Sequence, residues 1–188
     1  MKRIIIGLLL VFAVYVSEAQ KNYALLVIDI QDFYFPGGKS ELVDPVSAAE
    51  KAALAISHAR AEHQAVIYIQ HKSSSQMDIN KLVTPLPGET MFVKEEVNSF
   101  LNTGLDEYLK KLGKDTLVIC GMQTQMCVEA AVRAAHDLGY SVILLHDACA
   151  SRDLEFDDRL VKAADVHAET LVTLKTYATV VSVAEWTK

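Results

Sequence analysis

Short runs of consecutive apolar residues, separated by stretches with helical spacing, constrain this chain more than any other feature. The runs are ALLVI at 24–28, AVIYI at 65–69, MFV at 91–93, TLVIC at 116–120, SVILL at 141–145 and TVVSV at 179–183. Each is too short for a stable helix and lacks the polar alternation of a strand with one wet face, so each reads as a strand buried on both sides. Between them, residues 46–64 carry Ala49, Ala52, Ala53, Ile56 and Ala59 on one helical face. Further helices are expected at 105–112, 124–138 and 157–173, the first two followed by Gly113 and Gly139, residues suited to left-handed helix ends. Strands joined by helices predict an α/β fold: a three-layer, doubly wound, Rossmann-like domain with a mostly parallel six-stranded sheet. Neither a linker nor an internal repeat divides residues 20–188. The irregular stretches 31–44 and 71–88 leave carboxyl ends of strands, where open parallel sheets bind ligands, so they are expected to wall a pocket.

Composition narrows the classes of function. Of 188 residues, 51% are hydrophobic and 22% charged, which excludes an intrinsically disordered chain. The formal net charge is -6 and no basic run occurs, so there is no electrostatic footprint for nucleic acid. The amino terminus follows another logic. Lys2 and Arg3 precede an apolar run at 4–16, and Ser17-Glu18-Ala19 places small residues before a cut. That is the layout of a secretory signal peptide, and the run is too short to span a bilayer. Residues 1–19 are therefore expected to be removed and the chain exported, periplasmic or secreted, with no stable membrane insertion. Three cysteines cannot form a disulfide framework. Cys120 ends a strand, Cys127 begins a helix and Cys149 is expected in a small-residue turn.

Three polar residues stand where chemistry is possible. Asp29 ends the first strand, Lys94 follows the third, and Cys127 lies in the first helical turn after the fourth. A helix amino terminus and a nearby ammonium both favour thiolate over thiol, so a lowered thiol pKa is expected at Cys127. A carboxylate beside it can accept the thiol proton and return it to a leaving group. Taken singly, each residue also has a structural reading: an aspartate at a strand end as a turn residue, a cysteine among small residues as core.

The flanking motifs are more specific. Val27-Ile28-Asp29-Ile30-Gln31-Asp32-Phe33 resembles the opening signature of the isochorismatase-like cysteine hydrolases. Lys94-Glu95-Glu96-Val97-Asn98-Ser99-Phe100 is similar to their lysine motif, and Gly121-Met122-Gln123-Thr124-Gln125-Met126-Cys127-Val128 to their nucleophile motif. Gly139-Tyr140, Asp147-Ala148 and Ser151 resemble the region that follows. The resemblance implies a triad of Asp29, Lys94 and Cys127, with the cysteine forming an acyl enzyme and the aspartate shuttling the proton. It also implies a cis peptide at Met122-Gln123, aiming the N–H groups of Gln123 and Cys127 at an oxyanion. Phe33 and His71 are candidate substrate contacts, His71 as a loop residue at the pocket wall.

Two departures bear on the substrate. Nicotinamidases of the family hold a metal through an Asp-x-His pair after the second strand. Here the stretch reads Tyr68-Ile69-Gln70-His71-Lys72-Ser73, with no carboxylate beside His71, so no metal and no cofactor are expected. Members that cleave the vinyl ether of isochorismate generally lack the nucleophilic cysteine, which this chain keeps. The expectation is a metal-independent hydrolase cleaving a C–N bond of a small amide or carbamoyl compound, and by resemblance a homo-oligomer. The alternatives are a catalytically retired binding module and a thiol-redox protein, the latter without a Cys-x-x-Cys motif. His58, His63 and His136-Asp137 read as helix-surface residues, and Asp157-Asp158 as a helix-starting pair.

Overall fold

The computed structural model describes residues 22–73 and 78–188; the expected signal peptide lies outside them. Strands β1 (Tyr23–Ile28), β2 (Ala65–His71), β3 (Thr90–Lys94), β4 (Thr116–Met122), β5 (Ser141–Ala150) and β8 (Thr179–Val181) form one sheet in the order β3-β2-β1-β4-β5-β8. Every neighbouring pair in it is parallel. A short antiparallel hairpin, β6 (Leu154–Phe156) and β7 (Arg159–Val161), stands apart from it.

β1 shows why the apolar runs give this fold. Residues 24–28 are all fully buried, and alternate side chains feed opposite layers. Leu25 and Val27 join α1 (Pro45–Ala61) and α5 (Val183–Trp186) on one face. Ala24, Leu26 and Ile28 join α2 (Leu105–Lys111), α3 (Glu129–Asp137) and the end of α4 (Ala163–Leu174) on the other. Alanines at 48, 49, 52, 55 and 59 let α1 lie close against the sheet. The edge strand β3 departs from the two-sided burial expected of it: Met91 and Val93 face outward. No helix of the described residues is long and apolar enough to cross a membrane.

The winding reverses at β1. From there the chain builds outward through β2 to β3, then returns past β1 to β4 and β5. The crevice outside the carboxyl ends of β1 and β4 is the switch point at which such sheets bind ligands.

Three local expectations need correction. The helix expected from 157 begins only at Ala163; Asp157 and Asp158 turn the β6–β7 hairpin instead of starting a helix. Asp157 takes φ 52, a left-handed value that aspartate tolerates better than most residues. Cys149 lies within β5, not in a turn, because that strand continues to Ala150 past a register shift against β4. His63 lies just beyond α1, in a left-handed turn, rather than on the helix.

Candidate active site

The carboxyl ends of four strands deliver the polar groups. Asp29 follows β1 at φ 50, its N–H held by the Ile69 carbonyl of β2 at 2.9 Å. Lys94 is the last residue of β3 and pairs in register with His71, the last of β2. Beyond β4 the Met122–Gln123 peptide is cis, where the resemblance expects it. The chain then makes a single π-helical turn, Thr124–Val128, before α3. Gly121 permits this approach. At φ 140 it passes so close to β1 that a Cβ would lie 2.0 Å from the Ile28 carbonyl oxygen, so only glycine fits.

Lys94 Nζ is the centre of the cluster. It lies 2.8 Å from Asp29 Oδ2, 3.2 Å from Cys127 Sγ, 2.9 Å from His71 Nδ1 and 3.0 Å from the Glu96 carbonyl oxygen. The side chains of Asp29 and Lys94 are both fully buried. The Cys127 thiol faces the same carboxylate, and ligand atoms of Asp29, His71 and Cys127 all lie within 4.8 Å of one another. Apart from the ion pair and the thiol, neither Asp29 oxygen has a well-aligned donor, so the carboxylate has spare capacity to accept a proton.

Burial dominates the electrostatics. It raises the Asp29 carboxyl above the ordinary range, with the Lys94 ammonium opposing it. It also pushes the Cys127 thiol up to about 12; Asp29 adds to the rise and Lys94 works against it. The lowered thiol pKa expected from the sequence is therefore reversed. With carboxylate, ammonium and thiol the cluster is neutral, and releasing a proton to solvent would leave a net charge buried in a medium of low polarity. Passing the proton from Cys127 to Asp29 keeps it neutral. Burial and Lys94 lower His71, which favours the neutral ring, and an ammonium that can only donate makes Nδ1 the acceptor in their 2.9 Å contact.

His71 lines the cavity wall as expected, but it is the last residue of β2, bonded to Lys94, and not a loop residue. Asp29, His71 and Cys127 could in principle ligate a cation, but Nζ already stands among their donor atoms. The set does not fit a resident metal, which would have to displace that ammonium.

A cavity of about 320 Å³ opens onto Cys127. Phe33, Tyr34, Lys39 and Ser40 come from the first irregular stretch and Lys72 and Ser73 from the second, as expected, with His71 added from the end of β2. Gln123 and Met126 come from the nucleophile segment. Tyr34 and Arg152 were not foreseen. Tyr34 adjoins the signature residue Phe33, a signal that could have found it; Arg152 follows a strand whose end the sequence does not show.

Comparison with known proteins agrees with this geometry. The Isochorismatase domain family model matches residues 23–184. The chain is 41% identical over 169 residues to YddQ, an uncharacterized isochorismatase family protein of Bacillus subtilis, covering 84% of this chain and 94% of that protein. It is 29% identical over 198 residues to the ureidoacrylate amidohydrolase RutB of Azorhizobium caulinodans, covering 82% of this chain and 86% of that one. The crystal structure of an isochorismatase from Pseudomonas putida KT2440 superposes with a TM-score of 0.82 at 31% identity, covering 87% of this chain and 89% of that one. With the matched domain spanning the whole sheet and every residue of the Lys94 cluster, this chain belongs to the isochorismatase family of hydrolases.

Proposed function

We propose that this chain is a metal-independent cysteine hydrolase that cleaves a C–N bond of a small amide or carbamoyl compound through an acyl enzyme on Cys127. The observation that carries the reading is Lys94 Nζ standing 2.8 Å from Asp29 Oδ2 and 3.2 Å from Cys127 Sγ in a buried cluster. A buried ion pair of this kind contributes little net stability, whereas a shifted carboxyl beside a thiol at a cavity suits catalysis.

In the proposed reaction Cys127 Sγ attacks the carbonyl carbon as its proton passes to Asp29. The N–H groups of Gln123 and Cys127 receive the oxyanion. The π turn supports this role for Cys127: the N–H of Val128 takes the Gln123 carbonyl at 3.2 Å, the acceptor that Cys127 would use in a regular α-turn. Asp29 then protonates the leaving nitrogen as the C–N bond breaks, giving a thioester. Next it deprotonates water, which attacks the thioester and frees the thiol. The Lys94 ammonium offsets negative charge throughout. The likeness to a ureidoacrylate amidohydrolase supports a ureido or amide substrate. The same reading has residues 1–19 removed on export and the mature chain acting on a small molecule as a homo-oligomer.

The test is ammonia or amine release from a panel of small amides and ureides. The wild type is expected to turn over at least one member, and Cys127→Ala to reduce that rate by about 10³-fold or more. A Cys127→Ala protein working at near wild-type rate overturns the covalent mechanism.

A further inference from the structure

One wall of the cavity is organised by a directional chain of hydrogen bonds. The Ser151 hydroxyl donates to Gln125 Oε1 at 2.8 Å, and Gln125 Nε2 donates to Gln123 Oε1 at 2.9 Å. The amide group left to Gln123 can only donate, and it is directed at the Tyr34 hydroxyl, which lines the same wall. The phenol oxygen is therefore an acceptor in this chain, and its own proton is left to donate into the cavity that Tyr34 lines. Tyr34 is buried, which keeps that proton on the oxygen.

Arg152 supplies a second donor on the same wall. It lines the cavity, and its charge acts on Tyr34. Its Nε is buried without a hydrogen-bond partner. The neighbouring Asp153 is already engaged, accepting from Lys162 Nζ and from the Ala163 N–H, both at 2.8 Å. Arg152, Lys39 and Lys72 give the described lining three cationic side chains and no carboxylate. Lys72 is paired with Glu95, whereas Arg152 lines the cavity with no carboxylate paired to it among the described residues.

We propose that Tyr34 and Arg152 form a carboxylate-binding subsite, so that the substrate is an amide or ureide bearing a carboxylate away from the bond that is cut. A phenol O–H beside a planar guanidinium matches the two oxygens of a planar anion better than any neutral group. The inference rests on the hydrolase reading only for the identity of that bond.

The test is calorimetric binding to the full chain carrying Cys127→Ala. The probes are ω-ureido carboxylates with one to four methylenes, each compared with its uncharged primary amide. At least one carboxylate should bind about tenfold or more tighter than its amide. Adding Arg152→Gln should remove that preference while changing amide affinity less than about twofold; Tyr34→Phe should weaken the carboxylate several-fold; Arg152→Lys should retain part of the preference. Equal binding of acids and amides, no binding by any acid, or a preference that survives Arg152→Gln each overturns the subsite. Turnover plays no part in this readout. A wild type that prefers the acids yet releases no ammonia or amine from any ureide or amide would instead overturn the hydrolase reading and leave the subsite standing.

Discussion

At Cys127 the ammonium of Lys94 and the carboxylate of Asp29 pull the thiol in opposite directions, and burial sides with the carboxylate. This gives the two partners separable roles. Asp29→Asn removes a group that raises the thiol and leaves Lys94 to lower it, so alkylation of Cys127 by iodoacetamide near neutral pH should quicken while turnover is lost for want of a proton acceptor. Lys94→Met removes the opposing cation, so both alkylation and turnover should fall. Rates of alkylation and turnover for the two variants check this; equal slowing of alkylation in both would contradict it. The sign for pH follows from Asp29. Its carboxyl lies above the ordinary range, so wild-type turnover should fall as acid protonates it, on a limb displaced upward from an exposed aspartate. These residues were legible because each stands at or just past a strand end within a motif. The direction of the thiol shift was not, because it depends on how deeply the whole cluster is buried.

At the scale of elements, the β1–β4 approach is what brings the nucleophile segment to Asp29, and Gly121 is its narrowest point. Gly121→Ala sets a Cβ against the Ile28 carbonyl in a backbone conformation alanine avoids. It should cost about 3 kcal/mol of stability and most of the activity. Urea unfolding with an activity assay checks both, and a stable, active variant would show that β4 can move away from β1. The central strands and the main sequence of helices were legible, since continuous apolar runs joined by helical stretches, two of them ending in glycine, admit few other readings. The β6–β7 hairpin was not. Phe156 and Leu160 share helical spacing, and the start of α4 is capped from ten residues upstream, where Asp153 accepts the Ala163 N–H at 2.8 Å. His71 was under-read for a similar reason: its contact with Lys94 is set by the β2–β3 register, which neither strand shows alone.

Over the whole molecule, the sheet order gathers groups that are far apart in sequence into one crevice. Asp29, His71, Lys94 and Cys127 span 98 positions yet surround a single ammonium nitrogen. The apolar layers on both sides of β1 exclude water from that nitrogen, which is why the proton is expected to move within the cluster rather than to solvent. The proposed chemistry therefore turns on a covalent intermediate at Cys127. Rapid acid quenching of the wild type during turnover of a confirmed substrate, followed by peptide mass spectrometry, tests it most directly. The predicted result is an acyl group of the substrate's mass on the peptide containing Cys127 and on no other. Steady turnover with Cys127 unmodified at every quench time, in a protein whose Cys127→Ala variant still works, would contradict it.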